Sequence, residues 1–347
     1  MTESRLIIRN LCINPPLLLA PMAGLTHSAL RTLLQSFGGV GLLSTEMLSA
    51  RRLPTENPFI SPYLIRTEGE HPLSYQLFVT SLKDVSPAID ALHRFGADAI
   101  DLNLGCPAPR VRQAGGGSSL MDEAETVKKI VAEARRRTGK PLSAKIRLGE
   151  VLDKKKLKGF CRMLEGEGID FLTVHARLRR ERFCRPPRWE WVGYVKQWLT
   201  IPVIANGSIF SVEDARSCLR ESGADGLMIG RAAAERPWVF SDIGREVYGF
   251  DLPERQVMLP EIYKHVVLAL LKRFRPERQL GRLKEFTHYF ARNYTFGHHL
   301  ASAVQSSFSM QDAIVRVQSF FDRNDSESET ILLNDGVMEQ GVSTGRG

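Results

Sequence analysis

Eight short apolar runs punctuate the first two-thirds of the chain, at 17–24, 40–47, 72–78, 99–105, 142–148, 171–176, 202–207 and 226–231. Between them lie amphipathic segments at 27–37, 83–95, 122–138, 155–167, 188–199 and 211–222, each long enough for a helix. Strands joined through helices cannot pair as hairpins. They pair in parallel, buried on both faces. Eight such units close a (β/α)8 TIM barrel. The competing doubly wound sheet would need a G-x-G-x-x-G turn after its first strand, and Ala20-Pro21-Met22-Ala23-Gly24 does not supply one.

The chain has 347 residues, more than one domain usually holds, so a large domain and a smaller one are expected, each with its own core. Strand signals stop near residue 250. From there the chain reads as helices at 260–274, 277–293, 297–307 and 310–323, with Gly297 as a break. The expected organisation is a barrel over 1–250, a small all-α helical bundle over 251–323, and a disordered tail over 324–347. Of the formal net charge of +8, about +6 falls within 255–323, where eleven Lys or Arg face five Asp or Glu.

A hydrophobic share of 43% and a charged share of 25% are those of an ordinary globular protein. No apolar stretch approaches the roughly 18 residues that span a bilayer, and Met-Thr-Glu-Ser-Arg is not the start of a secretory signal. A cytoplasmic protein without a membrane partner is expected, acting as a monomer. The five cysteines are scattered and include no C-x-x-C pair, which argues against a disulfide framework and against a metal site.

The C-terminal strand ends of such a barrel face its active site. Gln76, Asn103, Lys145, Arg147, His175, Asn206 and Arg231 all stand at predicted strand ends. Asn206-Gly207-Ser208 and Gly230-Arg231 put glycines, backbone N–H groups and a cation where these barrels commonly hold a phosphate, so a phosphorylated cofactor is expected there. Cys106 sits between Gly105 and Pro107 at the end of an apolar run that Asn103 interrupts. Most free cysteines in such turns are small buried hydrophobes. A thiol lifted out of a strand end is equally well placed for chemistry.

The segment Ile100-Asp101-Leu102-Asn103-Leu104-Gly105-Cys106-Pro107, with Val111 four places on and then Gly117-Ser118, resembles the signature of the tRNA-dihydrouridine synthases. The resemblance runs from about residue 16 to about residue 323. It implies an FMN-dependent enzyme that reduces the C5=C6 bond of uridines in tRNA, drawing electrons from NADPH or NADH. It also implies a flavin site made of Pro21, Met22, Ala23, Gln76, Lys145, His175, Asn206, Gly207, Gly230 and Arg231. Lys145 suits the N1/C2=O side of the ring, where a cation favours the reduced anion. Reduction of a uracil needs a hydride at C6 and a proton at C5; an ordinary cysteine is mostly a neutral thiol at neutral pH, so Cys106 is the expected general acid.

A base within folded RNA must be flipped out to reach a flavin, and the basic helical region suits the remaining RNA. The segment 289–297 (YFARNYTFG) also looks like the family's helical domain. Asn103, Arg147, Arg177, Arg282, Arg292 and Tyr294 are the expected tRNA contacts. The chain departs from the family after the sixth strand: His175-Ala176-Arg177-Leu178, Glu181 and Phe183 stand where relatives have His-Gly-Arg-Thr, Gln and Tyr, and Arg110 replaces a usual Lys. Two other readings remain. A small-molecule FMN barrel oxidoreductase, of dihydropyrimidine or dihydroorotate type, would share the flavin motifs but has no use for a basic helical domain. A catalytically silent tRNA-binding homologue would be expected to lose Cys106 or Lys145.

Overall fold

The computed structural model describes residues 5–323. The tail expected to be disordered, 324–347, lies outside the described residues. A hairpin of β1 (Leu6–Ile8) and β2 (Leu11–Ile13) precedes the barrel. The barrel strands are β3 (Leu17–Leu19), β4 (Leu43–Ser44), β6 (Leu73–Phe78), β7 (Ala99–Asn103), β8 (Leu142–Arg147), β9 (Phe171–His175), β10 (Val203–Asn206) and β11 (Gly226–Ile229). A short β5 (Leu48–Ser49) extends the edge of β6. All of these pair in parallel in the order β3-β11-β10-β9-β8-β7-β6-β4. A bridge from Leu18 to Leu42 closes the ring, supported by the Leu19 N–H donating to the Leu42 carbonyl at 2.9 Å.

Two expected strands shorten for local reasons. Pro21 has no N–H to continue a ladder, so β3 stops before it. Of the run 40–47 only β4 is strand, because beyond Ser44 the Thr45 hydroxyl takes the place of a carbonyl and accepts the Gln76 N–H at 3.2 Å.

The outer face of the barrel is covered by α1 (Ser28–Phe37), α2 (Val85–Arg94), α4 (Ala124–Arg137), α5 (Lys154–Gly166), α6 (Trp189–Trp198) and α7 (Val212–Ser222), with a short α3 (Pro109–Gln113) in the loop after β7. After β11 come α8 (Ala232–Glu235) and α9 (Val239–Tyr248), which the apolar periodicity does not single out. Alternation along each strand sorts the side chains. Leu73, Tyr75 and Leu77, or Leu142, Ala144 and Ile146, pack outward with the helices. Inside, Leu18, Leu42, Ala99, Phe171, Ile204 and Met228 form a separate apolar cluster with Ile8, Leu11 and Ile13 of the hairpin. The hairpin thus seals the N-terminal end, and polar residues are left to the other end.

The C-terminal helices are α10 (Leu259–Arg273), α11 (Gln279–Phe290), α12 (Gly297–Gln305) and α13 (Met310–Arg323). Gly297 starts α12 rather than merely breaking a helix, and a Cβ there would lie 1.7 Å from the Ala291 carbonyl oxygen. The cores are not separate as expected. One buried cluster runs from Leu33 and Trp238 of the barrel layer into Leu270, Phe286 and Val304. Arg273 adds polar ties, donating to the Ser28 carbonyl at 2.9 Å and the Thr32 hydroxyl at 2.8 Å. No helix among the described residues is long and apolar enough to cross a membrane, and none of their His, Cys, Asp and Glu side chains group as a metal site.

Candidate active site

Inward-facing positions of β6, β7 and β8 build a chain of hydrogen bonds that ends at Cys106. Asp101 is buried within the barrel, where it accepts from Ser143 Oγ at 2.6 Å and Gln76 Nε2 at 2.7 Å. Burial raises its pKa, while those two donors and Lys145 hold it down. Because the carboxylate takes the amide nitrogen of Gln76, Oε1 of Gln76 faces Asn103 and accepts from its Nδ2 at 2.7 Å. That in turn fixes Asn103 Oδ1 as acceptor for the Cys106 N–H at 3.0 Å. From the other side Ser118 N–H donates to the Cys106 carbonyl at 3.0 Å. Gly117 permits this approach: its φ is +60°, and a Cβ would lie 2.7 Å from the Cys106 oxygen. The partly exposed thiol therefore rides on a backbone held at both its N–H and its C=O.

Cations gather beside it. Burial, reinforced by neighbouring Arg147, lowers the pKa of Lys145 from 10.5 to about 8, partly offset by Asp101 and Cys106. Burial and then Arg177 lower Arg147 to about 10. His175 is pushed well below its ordinary value by burial and by Lys145, Arg147, Arg177 and Arg231, so the ring is neutral at pH 7. Its Nε2 lies 3.2 Å from Arg177 Nη1; since a guanidinium only donates, Nε2 accepts and the ring proton is on Nδ1. The Phe183 ring lies among these groups, 5.9 Å from the His175 ring and tilted 20° to it. The guanidinium of Arg231 stands 4.5 Å from the Phe183 centroid and 5.2 Å from that of Phe210.

This crowd of mutually repelling cations calls for an anionic ligand. The turn after β10 supplies room for one: Gly207 has φ +127°, and Ser208 follows at +51°. A Cβ on Gly207 would come within 3.0 Å of His175 Cδ2. Asn206 Nδ2 donates to the Met228 carbonyl at 2.7 Å and ties this turn to β11. On the opposite wall, the Ala20–Gly24 turn is pinned where Met22 N–H donates to Thr26 Oγ1 at 3.0 Å and Gly24 N–H to Glu46 Oε2 at 2.6 Å.

One cleft of about 280 Å³ at the C-terminal mouth brings together Pro21, Met22, Ala23, Gln76, Asn103, Cys106, Lys145, Arg147, His175, Asn206, Gly207, Gly230 and Arg231. Four expected tRNA contacts lie elsewhere. Arg177 is 1% exposed and staples the loop after β9, donating to the Phe183 and Arg185 carbonyls and the Ser208 hydroxyl. Tyr294 packs inside the bundle, its ring 5.3 Å from that of Phe320, so it is not on an RNA-facing surface as expected. Arg282 is buried over Phe274 and 3.7 Å from Glu46. Arg292 is exposed but paired with Glu235 at 3.0 Å. Phe183, Glu285 and Tyr289 also line the cleft; the sequence marked Phe183 only as a departure from the family and Tyr289 only as part of the helical segment, and gave no role to Glu285. Glu285 and Tyr289 are four residues apart on α11, on the same face as Arg282, and that spacing was the only signal for Glu285.

A parallel barrel sealed at one end, with a cation-rich polar mouth and a thiol at its edge, has the layout of a barrel enzyme. The fold is similar to that of morphinone reductase (TM-score 0.51, 14% identity, covering 73% of this chain and 90% of that one). It is also similar to a 2-naphthoyl-CoA reductase (TM-score 0.53, 10% identity, 70% of this chain and 51% of that one). The family model for dihydrouridine synthase (Dus) matches residues 18–328. The chain is 33% identical over 289 residues to the tRNA-dihydrouridine(16) synthase of Aquipseudomonas alcaligenes, covering 80% of this chain and 90% of that protein. It is 36% identical to tRNA-dihydrouridine synthase B of Pseudomonas putida, with coverages of 65% and 67%, and 35% identical to that of Escherichia coli, with 65% and 70%. The chain belongs to the dihydrouridine synthase family.

Proposed function

We propose that this protein reduces specific uridines of tRNA to 5,6-dihydrouridine, with FMN held in the mouth cleft, NADPH or NADH as electron donor, and Cys106 as proton donor. The observation that carries this reading is the convergence, in one cleft, of a backbone-clamped thiol with a cation cluster that lacks enough negative charge of its own.

The residues fit the cofactor. Pro21, Met22 and Ala23 offer an apolar bed for the ring, Lys145 a cation for its N1/C2=O side, and Gln76 a second amide proton for its polar edge. Gly207, Gly230 and Arg231, positioned by Asn206 and neutral His175, suit the phosphate. When bound and reduced, FMN would supply the hydride needed at C6 of the uracil ring. The thiol proton of Cys106 goes to C5, leaving a thiolate beside Lys145 and Arg147, which stabilise it until solvent returns the proton. Asn103 keeps the Cys106 turn in place and has donors and acceptors of a kind that a uracil edge can meet. Phe183 lays its half-exposed ring against the guanidiniums of Arg147, Arg177 and Arg231.

The helical region supports an RNA substrate in preference to a free pyrimidine, because α11 puts Glu285 and Tyr289 into the cleft itself. Residues 251–323 are then the tRNA-binding part, and the protein acts in the cytoplasm as a monomer. The test is dihydrouridine mapping in tRNA from cells with and without this protein, together with the absorption spectrum of the purified protein. Unchanged dihydrouridine at every position, or a colourless protein that fails to take up FMN, overturns the reading.

A further inference from the structure

A second cleft of about 600 Å³ opens off the first, sharing Ala23, Met47 and Glu285 with it and running between the 46–64 segment and α11. Its lining holds three polar side chains that are buried yet incompletely partnered. Among the described residues, Glu46 Oε1, Ser61 Oγ and Arg282 Nε have no hydrogen-bond partner. Glu46 and Ser61 are each 4% exposed and Arg282 9%. Glu46 and Arg282 stand 3.7 Å apart, too far for a hydrogen bond to satisfy either. Buried polar groups are nearly always satisfied, so an acceptor, a hydroxyl and a donor left together in this wall, each covered while the cleft is open, gain a partner by turning into it toward a ligand.

The chemistry of that partner follows from the lining. Glu46, Glu56, Glu277 and Glu285 line the cleft together with Arg52, Arg278 and Arg282, a near balance of charge that disfavours a phosphate. A neutral group carrying both N–H donors and carbonyl or ring-nitrogen acceptors answers Glu46 and Arg282 at once. Tyr63, at the cleft wall and 36% exposed, offers an aromatic face. A nucleobase has these properties. When a polymer delivers one base into the first cleft, its chain neighbour must emerge within one nucleotide's reach of the shared rim.

We infer that this second cleft receives the base of the nucleotide adjoining the target uridine, so that tRNA is read as two neighbouring bases in two adjacent pockets; this rests on the function proposed above. Phosphates then remain outside, on the exposed rim.

Gly281 provides the test. It lines the cleft on α11, and a Cβ there meets nothing within 4 Å. Gly281→Phe should fill the cleft without disturbing the fold, with Gly281→Ala as the control that leaves it open. Affinity for an unmodified tRNA transcript should fall roughly tenfold in Gly281→Phe, the effect of one lost base contact, and stay at the wild-type level in Gly281→Ala. FMN content and NADPH oxidation should be unchanged in both. A transcript with an abasic residue on one side of the target uridine should cost the wild type the same factor and cost Gly281→Phe nothing more. Wild-type affinity in Gly281→Phe, or no loss in the wild type with an abasic residue on either side, overturns the inference. Failure of the wild type to form dihydrouridine at all overturns the proposed function instead, and is read without any variant.

Discussion

The lowered pKa of Lys145 makes cofactor binding depend on pH in a way that can be worked out. A fall from 10.5 to about 8 corresponds to about 3 kcal/mol of disfavoured charge, from burial first and Arg147 second. The N1 and C2=O acceptors of the oxidised ring beside the amine favour the ammonium form and raise that pKa again. Binding therefore takes up a proton once the free amine has lost its own. The dissociation constant should be flat below about pH 8, then rise towards tenfold per pH unit, giving ~10-fold weaker binding at pH 9 than at pH 7. A phosphate monoester is already mostly ionised above pH 7 and adds little slope. FMN fluorescence titrations from pH 7 to 9.5 read this directly. Lys145→Met should weaken binding at pH 7 by about 30-fold, the worth of a charged hydrogen bond, and abolish the inflection. Lys145→Arg should keep binding with a flat profile, because a guanidinium stays charged. For the free protein the sign is opposite: the unfolded chain binds the extra proton between pH 8 and 10.5, so this lysine's cost to stability disappears as pH rises through that window. A flat wild-type binding profile, or an inflection that survives in Lys145→Met, would refute the reasoning.

Cys106→Ala should retain FMN and tRNA binding and NADPH oxidation but lose dihydrouridine formation by a factor on the order of 10² to 10⁴; a wild-type rate would place the proton donor elsewhere. Gly207→Ala, at φ +127° and against His175, should cost about 1–3 kcal/mol and appear as reduced FMN retention; undiminished FMN content would count against the phosphate turn. Tyr294→Ala should lower thermal stability by about 3 kcal/mol, with the salt slope of tRNA binding unchanged in the folded protein. Arg282→Ala leaves Glu46 buried without its cation and should lower stability by about 3 kcal/mol, and through the lost base contact it should also weaken tRNA binding without changing its salt slope. A reduced salt slope in either variant would return that residue to the RNA surface.

The alternation of apolar runs and amphipathic segments was enough to specify the barrel, because strand burial and helix periodicity are local properties of the chain. The same period of two placed Gln76, Asn103, Lys145, His175 and Asn206 on inward-facing strand ends, and the Gly105-Cys106-Pro107 turn marked the thiol beside them. Local pattern could not show what closes the barrel floor, since β1 and β2 are three residues each and take their meaning from Phe171 and Ile204 packed above them. Nor could it tell an arginine that faces solvent from one that staples a loop. Arg177, Arg282 and Arg292 read alike in sequence, and their partners, the Ser208 hydroxyl, Glu46 and Glu235, come from other segments that only the fold brings near. Tyr294 looked like a stacking platform because it follows Arg292 and Asn293, yet its ring is claimed by Phe320 on the following helix. Glu285 and Tyr289 became part of the site only when α11 docked on the barrel mouth through a shared core. Charge and periodicity are written along the chain, whereas burial and pairing depend on contacts between distant segments, and these decided which cations bind and which hold the protein together.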